Sequence, residues 1–127
     1  MQAIVVLQTG QVLVVDYNRC RVVVFAGVDD DTVVRTLGDG QGHGPRQLYG
    51  PSNVAVLDEG DAADRPVAVV ADTNNHRLSL FRVDDDTLLR HVGSHGAAPG
   101  QFEYPSAVSV VSSEATGSGE AWLVVGD

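Results

Sequence analysis

The chain is 127 residues long with a formal net charge of −9, and its eight cationic side chains are all arginine. That length suits one modest domain with its own core, and an apolar share of 43% argues against general disorder. So acidic a chain repels phosphate backbones at long range, which counts against a broad nucleic-acid footprint.

The elements read from the N-terminus as short valine-rich strands. Valine is stiff at χ1 and suits pleated backbone, so the composition points to an all-β protein. Ile4 and Val6 alternate as a first strand. The segment Val14 to Phe25 then reads as a hairpin turning at Asp16-Tyr17-Asn18-Arg19, and Asp29-Asp30-Asp31 marks the next tip. After the glycine-rich stretch Gly38 to Gly44, four further strands are predicted: Pro51–Leu57, Pro66–Ala71, Arg77–Val83 and Thr87–Val92. Turn signals part them at Asp58-Glu59-Gly60-Asp61, Thr73-Asn74-Asn75 and Asp84-Asp85-Asp86, with Gly93 to Gly96 closing the set. A last strand follows Pro105, and no segment carries a sustained helical period.

These elements repeat. Asp16, Arg21 and Phe25 return as Asp72, Arg77 and Phe81, each 56 residues on. Val28-Asp29-Asp30-Asp31-Thr32 returns 55 residues later as Val83-Asp84-Asp85-Asp86-Thr87, and Pro51 returns as Pro105 at 54. Asp127 stands 55 residues after Asp72. Four antiparallel strands recurring at this period suggest propeller blades, each too thin to bury its apolar surface alone.

At these residues the chain resembles the NHL-repeat family. The stretches Gly100-Gln101-Phe102-Glu103-Tyr104-Pro105 and Val70-Ala71-Asp72-Thr73-Asn74-Asn75-His76-Arg77-Leu78 carry the resemblance, while the first copy departs from it at Arg19 and Cys20. The resemblance implies an incomplete β-propeller arc of four-stranded antiparallel blades forming one region. Blade 1 covers about 1–37, blade 2 about 51–92, and part of blade 3 about 105–127. Such an arc is expected to belong to a longer protein or to associate with itself.

Several residues invite a chemical reading. Asp16 with Arg21, and Asp72 with Arg77, stand five apart across the hairpin between second and third strands. A carboxylate facing a planar guanidinium either binds a ligand or pins the turn, and its repetition favours the structural role. Of His43, His76, His91 and His95, only the last two are four apart, a spacing that converges on a helix and not on a strand end, so no metal or cofactor is expected. The Gly38–Gly44 stretch precedes no helix and carries no P-loop lysine, so it reads as a flexible connection. Each aspartate triplet lacks the ligand spacing of a calcium loop and reads as a solvated tip. No nucleophile–base–acid order is visible. Tyr49 and Tyr104, beside the repeated prolines, are expected to pack between blades. Cys20 is the single cysteine, so no intrachain disulfide forms. No basic leader opens the chain and no apolar run approaches the about 20 residues of a membrane helix, so a soluble, membrane-free protein is expected, with cytoplasm as the default compartment.

In an up-and-down meander alternate connections share one end. The aspartate triplets then gather at one end with Asp58, Glu59, Asp61 and Asp64 against Arg65 alone. Mixed charge gathers at the other, where blades connect. The resemblance implies that ligands bind at that end, where the candidate contact residues are Asn18, Arg19, His43, Arg46, Asn74, His76 and His95. The leading functional expectation is a protein- or peptide-binding scaffold. Alternatives are a metal-dependent propeller lyase or hydrolase completed by further blades, and an RNA-binding propeller, which the absence of an arginine cluster disfavours.

Overall fold

The computed structural model describes residues 3–58, 64–111 and 122–127. Within them the protein is all-β. The strands, in chain order, are β1 (Ile4–Val6), β2 (Val12–Asp16), β3 (Arg21–Gly27), β4 (Asp30–Leu37), β5 (Pro51–Leu57), β6 (Val67–Asp72), β7 (Arg77–Arg82), β8 (Leu88–Val92), β9 (Ala107–Val111) and β10 (Trp122–Gly126). They form antiparallel sheets ordered β1-β2-β3-β4 and β5-β6-β7-β8, with β9-β10 as a two-stranded third. Glu59 and Asp61 of the expected acidic turn lie outside the described residues.

The second unit follows the sequence closely. β5 has the expected bounds, while β6 is displaced one residue toward Asp72. All six residues of β6 are buried, as suits an apolar run covered on both faces. Between β7 and β8 the chain turns through Asp86, a non-glycine residue at φ 60°, and both strands stop one residue short of their expected turn-side ends. A one-turn 3-10 helix, Thr73–Asn75, links β6 to β7.

Register shows that the sheets are copies of one another. Ile4 faces Val14, Val54 faces Val70, and Val108 faces Val125. One step along, Val5 faces Leu13, Ala55 faces Val69, and Ser109 faces Val124. Because side chains alternate across a strand, each sheet has a front, defined by the first set of pairs, and a back, defined by the second. The front of the second sheet (Val54, Ala68, Val70, Phe81) packs on the back of the first (Leu13, Val15, Val22, Val24). The back of the second (Ala55, Val69, Leu78) packs on the front of the third (Val108, Val110, Val125). Leu13, Leu37, Leu48, Leu78 and Phe81 are fully buried in these layers, each contributing about 1.5–3 kcal/mol over exposure. Among the described residues no helix is long and apolar enough to cross a membrane.

Candidate functional site

The end where the sheets connect is built by two similar hairpin tips and two similar loops. The β2–β3 tip closes with Cys20 N–H on the Tyr17 carbonyl at 3.2 Å, and the β6–β7 tip with His76 N–H on the Thr73 carbonyl at 3.1 Å. Cys20 (φ 51°) and His76 (φ 56°) hold the same left-handed position. The connecting loops match as well, through isolated parallel bridges pairing Gln41 with Leu48 and His95 with Phe102.

The β6–β7 tip grips both loops. Toward the loop before its own sheet, Asp72 accepts Tyr49 N–H at 2.7 Å and Asn75 Nδ2 at 3.0 Å. Arg77 donates Nε to Asp72 at 2.9 Å and Nη2 to the carbonyls of Gly44 and Gln47 at 2.8 and 3.0 Å. Asn75 also donates to the Gly42 carbonyl at 2.9 Å. Toward the following loop, Thr73 Oγ1 donates to the Pro105 carbonyl at 2.7 Å, and the His76 ring bonds the Glu103 carbonyl. Asp127 repeats the part of Asp72, accepting the N–H groups of Glu103 and Tyr104 at 2.9 and 2.8 Å. Those two donors hold its carboxyl below the ordinary range.

This corrects the expectation of a flexible glycine-rich connection. Within the 38–50 loop, Asp39 N–H bonds the Arg46 carbonyl at 2.8 Å and Gly42 N–H bonds the Leu48 carbonyl at 3.0 Å. Leu48 N–H bonds the Gly40 carbonyl at 3.1 Å, and Leu48 itself is fully buried. The loop is a built element whose backbone groups are used.

The residues singled out from the sequence do not gather at one point. Asn75 and His76 bring two ring clusters onto one hairpin. His43 stacks on Tyr49, with centroids 5.1 Å apart, and its Nδ1 bonds Asn75 Oδ1. His76 lies against His95 at 4.1 Å and against Tyr104 at 5.2 Å. On the neighbouring tip Asn18 and Arg19 are exposed, with Arg19 3.6 Å from Asp16. Asn74 is half-buried beside Gly50, and its N–H donates to the Tyr49 carbonyl at 3.0 Å. Asp16 and Arg21 pair at 3.1 Å and occupy the register position of Asp72 and Arg77.

Arg46 is engaged elsewhere. Its Nε bonds Asp39 at 3.1 Å, its Nη1 the Asp86 carbonyl at 2.6 Å, and its guanidinium carbon Cζ lies over the Phe81 ring, 5.7 Å from the centroid. Nη2 completes an ion pair with Asp86 at 2.5 Å. Asp86 also accepts Gly38 N–H at 3.1 Å. Burial pushes the Asp86 carboxyl above its ordinary value, against the lowering pull of Gly38 N–H and Arg46. Asp86 was expected in solvent at the opposite end; the structure instead makes it a clamp between the connecting loop and the β7–β8 turn. Asp84 and Asp85 are exposed, as expected of a solvated tip, and Arg65 reaches them at 3.0 and 3.1 Å.

Sequence reasoning missed two exposed aromatics. Tyr17 is 51% exposed and Tyr104 is 59% exposed, where interior packing was expected for the latter. Tyr104 directly precedes Pro105, whereas Tyr49 stands two residues before Pro51, although both tyrosine N–H groups donate to Oδ1 of the aspartate that holds their loop. Among the described residues no three His, Cys, Asp or Glu side chains converge as metal ligands. No family model matches the chain, and no curated protein matches it. The repeat therefore rests on the chain's own register and hydrogen bonds.

Proposed function

We propose that this chain is a protein- or peptide-binding module: an arc of NHL-type propeller blades at about 1–37, 51–92 and, in part, 105–127, whose connection end is the binding surface. The copied registers and the front-to-back packing of successive sheets support the blade reading. The observation that carries the binding reading is the exposure of Tyr17 and Tyr104 on tips and loops whose own polar groups are already bonded. Rigid aromatics on a fixed scaffold offer contact area at low entropic cost, which is how recognition surfaces gain affinity. Asn18, Arg19 and His95, also exposed, supply polar contacts around them.

Engagement of Arg46 and Arg77 by carboxylates and backbone carbonyls leaves little positive charge at this end, which favours a peptide over a phosphate backbone. The test is selection of peptides from a random display library on the immobilised chain, followed by calorimetry with variants. Tyr17→Ala and Tyr104→Ala are each expected to weaken a selected peptide at least about tenfold, the usual scale for a central aromatic contact. Binders indifferent to both substitutions would refute the assignment of this end.

A further inference from the structure

Three histidines at the connection end hold positions that the twin elements fill without histidine. His76 and Cys20 take the same left-handed place on the two hairpin tips. His95 and Gln41 make the same isolated bridge in the two loops. His43 stands where Ala97 stands, one residue before the backbone N–H, of Gly44 or Ala98, that donates to a loop glutamine. The fold is built at each place without imidazole, so these rings are not there to make the tips or the loops.

Hydrogen bonds fix which nitrogen of two of the rings carries the proton. Asn75 donates Nδ2 to the Gly42 carbonyl and to Asp72, so its Oδ1 is the atom turned to His43 Nδ1. His76 Nδ1 meets the Glu103 carbonyl. Amide and carbonyl oxygens only accept, so both Nδ1 atoms carry hydrogen and both Nε2 atoms keep a lone pair. A second proton then enters at Nε2 and leaves the Nδ1 bond in place. His95, which is exposed, lies 4.1 Å from His76 between ring centroids. Two positive rings that close repel, and a carboxylate facing both offsets the repulsion.

Most charges around these rings are already engaged. Asp127 feels the His76 charge, but its two oxygens take the N–H groups of Glu103 and Tyr104. Beneath Asn75, Asp72 and Arg77 bond each other. On the His43 loop, Arg46 is tied to Asp39 and Asp86, and His91 reaches the Pro45 carbonyl through Nε2 at 2.8 Å. Tyr49 and Tyr104 add phenol rings, Glu103 is exposed, and Arg19 on the neighbouring tip stands by Asp16.

We infer that the connection end is gated by pH and that, as pH falls, His43, His76 and His95 become cations that hold a peptide bearing carboxylates. This rests on the reading of that end as a peptide-binding surface, and adds the partner's charge and the switch. Imidazole is the side chain that ordinarily changes charge between about pH 5 and 8. A carboxylate beside it favours the charged form, so binding takes up protons and tightens as pH falls.

Parallel selections from a random peptide display library on the immobilised chain, at about pH 5.5 and about pH 7.5, test this. The pool from the lower pH is expected to be the richer in aspartate and glutamate. By calorimetry its peptides are expected to bind at least about tenfold tighter at the lower pH, the scale of a close charge pair. The comparison is a triple variant: His76→Asn, which suits the left-handed backbone and keeps a donor for the Glu103 carbonyl, with His95→Gln and His43→Ala, the residues of the twin loops. In it the ratio of affinities is expected to collapse, whereas His91→Gln is expected to keep it. Peptides that bind equally at both pH values, or whose ratio survives the triple variant, overturn the gating and leave the peptide-binding reading standing. An absence of binders at both pH values sinks that reading and the gating with it. Nitrogen NMR of the free chain needs no peptide: neutral His43 and His76 are expected as Nδ1–H, and Nε2–H in either overturns the switch. Should the triple variant lose its β-sheet circular dichroism, His95→Gln alone replaces it, and an unchanged ratio then overturns the gating.

Discussion

Arg77 binds Asp72 and, with the same guanidinium, the carbonyls of Gly44 and Gln47 in the loop that leads into its sheet. The pair that looks like a hairpin pin is thereby also the anchor of a connection some thirty residues earlier in the chain, since Asp72 is fully buried and its bonds are all satisfied within this network. In the first sheet Arg21 donates only to Asp16 among the described residues, and its side chain is 39% exposed.

The two arginines should therefore differ in their tolerance of lysine, which keeps the charge and loses the fork. Arg77→Lys is expected to lower stability by about 2–4 kcal/mol, because two carbonyls and a buried carboxylate lose partners. Arg21→Lys is expected to cost under about 1 kcal/mol, as for an exposed pair. Urea unfolding monitored by circular dichroism measures both, and equal losses would contradict the anchoring role.

Ser79 lies fully buried on the front of the second sheet, and its Oγ has no hydrogen-bond partner. Val23 occupies the same register position in the first sheet, facing Val14 as Ser79 faces Val70. Ser79→Ala is expected to raise stability by about 1 kcal/mol by removing an unsatisfied hydroxyl. A loss of that size in the same unfolding assay would show that the hydroxyl is bonded.

Gly93 sits at φ 90°, and a Cβ there would come within 2.4 Å of the Phe102 ring. Gly100 has a similar φ of 83° with open space around it. Gly100→Ala should register backbone strain alone, about 1 kcal/mol, and Gly93→Ala strain plus collision, about 2–3 kcal/mol. Thermal unfolding of the two variants separates the terms; a smaller loss at Gly93 would place the ring elsewhere.

Two carboxyls titrate in opposite senses. Asp127 is held below its ordinary 3.8 by the N–H groups of Glu103 and Tyr104, so its contribution is present above that pH and is lost as pH falls through the folded value. Asp86 is raised above 3.8 by burial, so its contribution is present at lower pH and fades as pH rises through its folded value. Carboxyl NMR titration should place the Asp127 midpoint below that of Asp86. Amide exchange at Glu103 and Tyr104 should quicken at acid pH beyond its intrinsic trend. A reversed order of midpoints would contradict the hydrogen-bond geometry.

Much of this architecture was legible in the chain. The alternation around Val54 and Val56 marks β5, the continuous run Val67 to Ala71 marks a doubly covered β6, and the recurrence of Asp16 and Arg21 as Asp72 and Arg77 places both hairpins. What escaped was side-chain reach. Strand periodicity assigns Asp86 and Arg46 to separate connections, and nothing in their spacing shows that the Arg46 guanidinium reaches over the Phe81 ring to meet the turn. Nor does spacing reveal whether a tyrosine near a proline faces inward. Tyr49 and Tyr104 make the same bond to the aspartate that holds their loop, yet Tyr49 is half-buried and Tyr104 is exposed.

The binding role of the connection end is tested most directly by mapping backbone amide shifts while a display-selected peptide is titrated into the labelled chain. The expected footprint covers Tyr17 to Arg19, His43, Asn75, His76, His95 and Tyr104, with the amides of Ile4, Val6 and Phe25 unmoved. Shifts gathered on the front of the first sheet, with Tyr17 and Tyr104 silent, would contradict it.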